Sequence, residues 1–360
     1  MKRAAYALIN LSHLKHNLSI VKKIAHHSKV MAVVKADAYG HGVLSVCKSL
    51  SQTDAFSVAC INEAVELREN GVTKPILSLQ GFSTEKELQF AIAHNIEIVL
   101  HHPDQLKQLQ SYTSIVHPLD VYVKIDTGMH RLGFEPSQFD AVITQLKSLL
   151  PNESKISVMT HLACADEINN PATEQQLELF DHTLNGQEFI QSIANSAGIL
   201  AWPKSHRDWV RPGLMLYGVN PLDADVDKLN VELKPVMSFR APVISIKQCL
   251  QGDRIGYGGD YCCPHDMVIA VVAAGYADGY PRHIPGAPMI SIHNKSVPIV
   301  GRVSMDMITA DITGIESQVG DEVELWGNDI SVEKIARDAD TISYELLCAA
   351  GNAVPKKFIE

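Results

Sequence analysis

Lys35 closes a run of core-type residues, 30–34, and leads directly into Ala36-Asp37-Ala38-Tyr39-Gly40-His41-Gly42. A lysine held in a β-core can serve as a general base or bond covalently to a carbonyl carbon. At a strand end it can also simply reach out to water. Other apolar runs end in comparable residues. The run 121–125 carries Tyr122 and Lys124 on one face and continues to Asp126, His130 and Arg131. The run 156–160 ends at His161, 189–194 ends at Asn195-Ser196, and 210–217 carries Arg211 and then Pro212-Gly213. Amines, guanidinium groups, an imidazole and small hydrogen-bonding residues therefore recur at one position in a repeating pattern. No Asp/Glu pair suited to glycoside hydrolysis recurs there, and no metal-ligand cluster.

Those side chains need elements to hold them at one place. The first 218 residues contain eight candidate strands, 30–34, 55–61, 75–80, 96–100, 121–125, 156–160, 189–194 and 210–217. Helical patterns lie between them, among them 63–70 stopped by Gly71, 84–95 opened by a Thr84/Glu87 capping box, 136–149 and 173–184. This alternation predicts an N-terminal (β/α)8 TIM barrel, whose chemistry sits at the C-terminal ends of the strands. An open doubly wound sheet lacks its usual support, because no GxGxxG follows the first strand. Beyond residue 230 the texture changes to strands at 236–248, 267–274, 289–293, 299–312 and 322–325, with Gly-Asp and Asn-Lys turns. A last helix, 332–350, is expected to stop at Gly351. The chain is thus read as an α/β barrel, 1–228, and a C-terminal mainly-β domain, 229–360. In a barrel, small and Gly residues after the seventh and eighth strands favour phosphate. A reactive lysine beside a phosphate cup points to pyridoxal 5′-phosphate (PLP).

Composition narrows the partners. The chain has 360 residues, 46% hydrophobic and 20% charged, as in ordinary globular proteins. Its net charge of −10 and the lack of a Lys/Arg run argue against nucleic acid or an anionic membrane. The longest apolar run, 267–274, falls short of a membrane span. Seven cysteines without a Cys-x-x-Cys spacing read as thiols of a reducing cytoplasm. The start, Met1-Lys2-Arg3 followed by 4–9, has a faint leader-like look that Asn10, His13 and Lys15 interrupt.

Residues 32–42 resemble the PLP-attachment signature of the alanine racemase family. The resemblance continues in order through 124–133, His161 with Ala165-Asp166-Glu167, Asn195-Ser196, and Arg211-Pro212-Gly213. It resumes in the second domain at 256–259, 275–279, 301–306 and 341–345. It implies a cytoplasmic homodimer that interconverts L- and D-alanine on PLP and supplies D-alanine for peptidoglycan. Lys35 would be one base and Tyr257, supplied by the second subunit, the other, with a hydrogen-bond chain from Tyr257 through His161 to Arg211. Arg211 would face the pyridine nitrogen, and a guanidinium can only donate there. Tyr39, Ser196, Gly213 and Tyr344 would cradle the phosphate, with Asn195 adjacent. Arg131 and the Met305 N–H would clamp the substrate carboxylate, Tyr276 would shape the entrance, and Lys124 is a candidate for carbamylation. Other readings within the same chemistry are a serine or broad-specificity racemase and a PLP-dependent decarboxylase. A decarboxylase would place an acid where Arg211 stands. A PLP carrier protein would end after the barrel.

Overall fold

The computed structural model describes residues 3–112, 118–222 and 231–360. The expected domain boundary at 228/229 lies outside the described residues. Eight parallel strands close a barrel: β2 (Lys29–Val33), β3 (Ala55–Val58), β4 (Ile76–Ser78), β5 (Glu97–Leu100), β6 (Val121–Lys124), β7 (Ile156–Met159), β8 (Ile190–Ser192) and β9 (Trp209–Val210). Closure is made where β9 returns to β2, in register Lys29↔Trp209 and Val30↔Val210. Met31, Ala55, Leu77, Val99, Tyr122 and Met159 fill the barrel's interior. A packed plug of this kind separates the two ends of a barrel.

The eighth strand is shorter than the run 210–217 implies. Pro212 has no N–H to give the ladder, and Leu214–Tyr217 coils into a 3-10 turn. The helix Glu85–Ala93 begins with the expected box, in which Thr84 Oγ1 accepts from the Glu87 N–H (3.2 Å) and Glu87 accepts from the Thr84 N–H (3.2 Å).

The second domain is an eight-stranded sheet beside a small hairpin. Its strands are β10 (Met237–Cys249), β13 (Met267–Val272), β14 (Met289–Ile292), β15 (Lys295–Pro298), β16 (Ile308–Asp311), β17 (Glu322–Trp326) and β18 (Lys356–Ile359), with β1 (Tyr6–Asn10) as the eighth. The hairpin is β11 (Arg254–Ile255) and β12 (Tyr261–Cys262). β1 runs antiparallel to β10 and parallel to β18, so the chain's first and last strands are neighbours. The apolar start of the chain is therefore a buried strand of the second sheet, on the barrel side of the expected boundary.

Two further expectations are corrected. The strand expected over 299–312 is broken, with β15 before it, β16 at its end, and between them a loop carrying Arg302 and Met305. The last helix is two, Val332–Asp338 and Ser343–Ala353, with Asp340 at φ 53° in the turn between them. Gly351 lies inside the second one instead of stopping it. It is glycine because a Cβ there would collide with the carbonyl of Gly40, and a Cβ on Gly40 would lie 2.6 Å from the Leu347 carbonyl oxygen. This close approach of two backbones seats the second domain against the turn that follows Lys35.

Candidate active site

Lys35 leaves β2 at the C-terminal mouth of the barrel. The next four residues, Ala36 to Tyr39, take left-handed helical angles, with φ between 52° and 55°. That conformation costs roughly 1–2 kcal/mol per residue for side chains with a Cβ. The surroundings hold it in place. Glu63 accepts from the Ala36 N–H (2.9 Å), Asp37 accepts from the Val43 N–H (2.7 Å), and Lys356 pairs with Asp37 (2.9 Å). Buried His41 donates from Nδ1 towards the carbonyls of Ala38 and Tyr39, both at 2.9 Å. Burial lowers its pKa to about 4, so the ring is neutral. Strain of this kind, over-determined by its neighbours, is characteristic of functional sites. Here it aims Tyr39 inward while Lys35 faces the mouth.

Arg211, on the segment leaving β9, is buried. It donates to Ser192 Oγ (2.6 Å), the Thr160 carbonyl (2.7 Å) and the Ile193 carbonyl (3.2 Å), and lies 3.4 Å from His161 Nδ1. Burial lowers its pKa to about 10, which still leaves a cation at neutral pH. Burial, and then the nearby Arg211 charge, holds His161 well below its ordinary pKa, so the imidazole is neutral. The Gln176 side chain donates to the His161 carbonyl (3.1 Å) and fixes the loop.

Lys124 projects from β6, and burial, then Arg211 and Arg131, push its pKa down to about 8. Lys35 is likewise lowered, by burial first and Arg131 second. Among the described residues, Lys35, Lys124 and Arg131 make no ion pair with a carboxylate. The mouth therefore holds an excess of positive charge suited to an anionic ligand.

Ser196 Oγ accepts from the N–H groups of Gly213 (2.9 Å) and Met215 (3.3 Å), tying the ends of β8 and β9 together. Asn195 caps the short helix behind it: Oδ1 accepts from the Gly198 N–H (2.9 Å) and Nδ2 donates to the Leu162 carbonyl (3.3 Å). Its amide thus positions Ser196. A Cβ on Gly213 would lie 2.6 Å from Tyr39 Oη, so glycine keeps this cradle open. The Tyr39 ring packs against Tyr217 (4.8 Å) and Tyr344 (5.7 Å).

The structure thus gathers Lys35, Tyr39, Lys124, His161, Ser196, Arg211 and Gly213 at one end of the barrel, with Tyr344 reaching in from the second domain. Tyr257, Met305 and Tyr276 lie on the second domain and are 69%, 52% and 39% exposed. Within one chain Tyr257 makes no hydrogen bond to His161, so the expected chain of bonds has only its His161–Arg211 link. Sequence reasoning missed Ser192, Thr160 and Glu63. Ser192 and Thr160 carried a signal, being polar residues within core-type strands. Glu63 on its helix carried none.

Fold and mouth together define a (β/α)8 barrel joined to a mainly-β domain, with a strand-end lysine and a caged, buried arginine at the barrel mouth. The family models "Alanine racemase, N-terminal domain" and "Alanine racemase, C-terminal domain" match residues 9–221 and 236–358. An alanine racemase of Coxiella burnetii is 45% identical over 100% of this chain and 99% of its own length. One of Thioalkalivibrio sulfidiphilus is 46% identical over 100% of both. The crystal structure of the biosynthetic alanine racemase of Pseudomonas aeruginosa superposes with a TM-score of 0.94 at 40% identity, over 99% of this chain and 100% of that one. The chain belongs to the alanine racemase family, and it is an isomerase.

Proposed function

We propose that this protein interconverts L- and D-alanine by a two-base mechanism on PLP, as a cytoplasmic homodimer that supplies D-alanine for peptidoglycan. The observation that carries the reading is Lys35, an amine with lowered pKa at the barrel mouth, set beside Lys124 and Arg131, which among the described residues make no ion pair with a carboxylate. The residues present suit PLP. Lys35 would hold its aldehyde carbon, Arg211 its ring nitrogen, and Tyr39, Ser196, Gly213 and Tyr344 its phosphate, in the cradle that a Cβ on Gly213 would fill. When bound, PLP makes the α-proton of an amino acid acidic by drawing electron density into its ring.

The protein must then take a proton from one face of the α-carbon and return one to the other. Lys35 serves one face. Its lowered pKa keeps more of the amine neutral, the form that accepts a proton. The other face falls to Tyr257 of the partner subunit, which fits the exposure of Tyr257 in the single chain. Arg211 can donate but not accept, so at the ring nitrogen it would disfavour a proton there and limit side reactions. Arg131 and the Met305 N–H orient the substrate carboxylate, and Tyr276 narrows the entrance. Lys124 is partly neutral near pH 7, the form that adds carbon dioxide, releasing a proton. The resulting carbamate would hold Arg131 in place of a repelling ammonium. Lys124→Ala should therefore lose activity that small carboxylic acids restore.

The test is chiral chromatography after incubating the PLP-loaded protein with L-alanine or L-serine. D-Alanine should form, D-serine far more slowly, and Lys35→Ala should give neither. Absence of D-alanine from the unaltered protein would overturn the proposal. Equal racemisation of serine would move the reading to a broad-specificity racemase.

A further inference from the structure

Three of the seven cysteines lie in or beside the hairpin that carries Tyr257. Cys249 ends β10, Cys262 ends β12 and Cys263 follows it. The hairpin base is fastened by the Gly252 N–H to the Cys263 carbonyl (2.9 Å) and the Cys263 N–H to the Asp253 carbonyl (2.8 Å). Cys263 is buried in a small apolar cluster with Ile255, Met267, Ile269 and Val300, and half-buried Cys249 packs against that cluster. Met267, the residue opposite Cys249 in the β10–β13 register, lies in that cluster beside Cys263, so both cysteines line one apolar spot. Cys262, next along the strand and so turned to its other face, is exposed and donates to the Gly252 carbonyl at 3.6 Å.

We propose that Cys249 and Cys263 are a redox modification site, forming a reversible disulfide under hydrogen peroxide. The more accessible Cys249 gives up its proton, its sulfur attacks one peroxide oxygen, the O–O bond breaks, and the leaving hydroxide takes a proton to become water, leaving a sulfenic acid. The Cys263 sulfur then attacks the Cys249 sulfur, and the sulfenic oxygen leaves as a second water with the thiol's proton. Two thiols and one peroxide give one disulfide and two waters. The new bond closes residues 249–263 into a ring that contains Tyr257. It draws the hairpin base towards β10 and fixes the tyrosine at its tip, so racemisation slows until a thiol reductant reopens the ring. That consequence rests on the proposed role of Tyr257; the bond itself does not.

The PLP-loaded enzyme would be treated with peroxide, alkylated, and digested with trypsin, which cuts after Lys247 and Arg254 and so separates the two cysteines. Two of the seven thiols should be lost, a peptide linking Cys249 to Cys263 should appear, and activity should fall severalfold and return with dithiothreitol. Cys249→Ser should abolish both effects, and Cys262→Ser should keep both. Absence of the linked peptide, or a link through Cys262, would overturn the site. A complete cross-link with unchanged activity would overturn the switch. Tyr257→Phe run alongside separates the two failures: if it stays active, the role of Tyr257 fails while the disulfide is still read by mass.

Discussion

The two ends of the barrel treat buried charge in opposite ways. At the N-terminal floor, Arg68 gives its hydrogens to the carbonyls of Val72, Lys74, His94 and Asn95 and staples the loops beneath the strands. Beside it, a cavity of about 280 Å³ is lined by Glu97 and Asp120 among others. Burial, and then the neighbouring Asp120, push the Glu97 pKa up to about 7. At the mouth the charges are cations, and Lys35 and Lys124 are forced towards neutrality by burial first and then by neighbouring arginines, Arg131 for Lys35 and Arg211 with Arg131 for Lys124. The floor settles its charges within the protein. The mouth leaves positive charge for a ligand to settle, which is the ground for proposing the chemistry there. The apolar plug of Met31, Leu77, Val99 and Met159 keeps the two settings apart.

Substitutions at the two ends should have different consequences. Lys35→Ala removes the mouth's reactive amine and should lower racemisation by about a thousand-fold or more in the chiral assay. Tyr257→Phe should cost about 10²- to 10³-fold in rate while PLP retention, read from its absorbance, stays unchanged. Arg211→Leu leaves the Thr160 and Ile193 carbonyls and Ser192 without their donor and should lower unfolding stability by about 2–4 kcal/mol in denaturant titrations. Activity should fall with it.

The floor should answer to pH. Glu97 has a folded pKa of about 7 against an ordinary 4.5, so its contribution is complete below the ordinary value and is lost as pH rises through 7. Glu97→Gln cannot ionise, and allowing for partial exposure it should gain about 1–3 kcal/mol on the unaltered protein between about pH 5 and pH 8. Racemase activity at either pH should not change. The smallest effect is expected far from both ends, where Thr84→Ala removes a helix cap at a cost of about 1 kcal/mol.

Much of this was legible in the residues, and the limits have physical causes. The barrel strands could be read because each is a short local run that ends in a polar residue, and Lys35, His161, Ser196 and Arg211 stand at such ends. β1 was not read as a strand. Its partners, β10 and β18, lie more than 200 residues away, and five apolar-rich residues alone do not declare a sheet. Gly351 looked like a stop because a glycine's packing reason lies on another element, here Gly40. The left-handed turn after Lys35 was equally hidden, since Ala36 and Ala38 give no local reason for a positive φ.

In the proposed dimer, the mouth of one barrel is completed by Tyr257 of a second copy. The direct test is a heterodimer of Lys35→Ala and Tyr257→Phe chains, isolated through two different tags. One of its two sites would then hold both an intact lysine and an intact tyrosine, and the heterodimer should keep about half the unaltered dimer's activity. A heterodimer as inactive as either parent would contradict it, placing both residues in the site of their own chain.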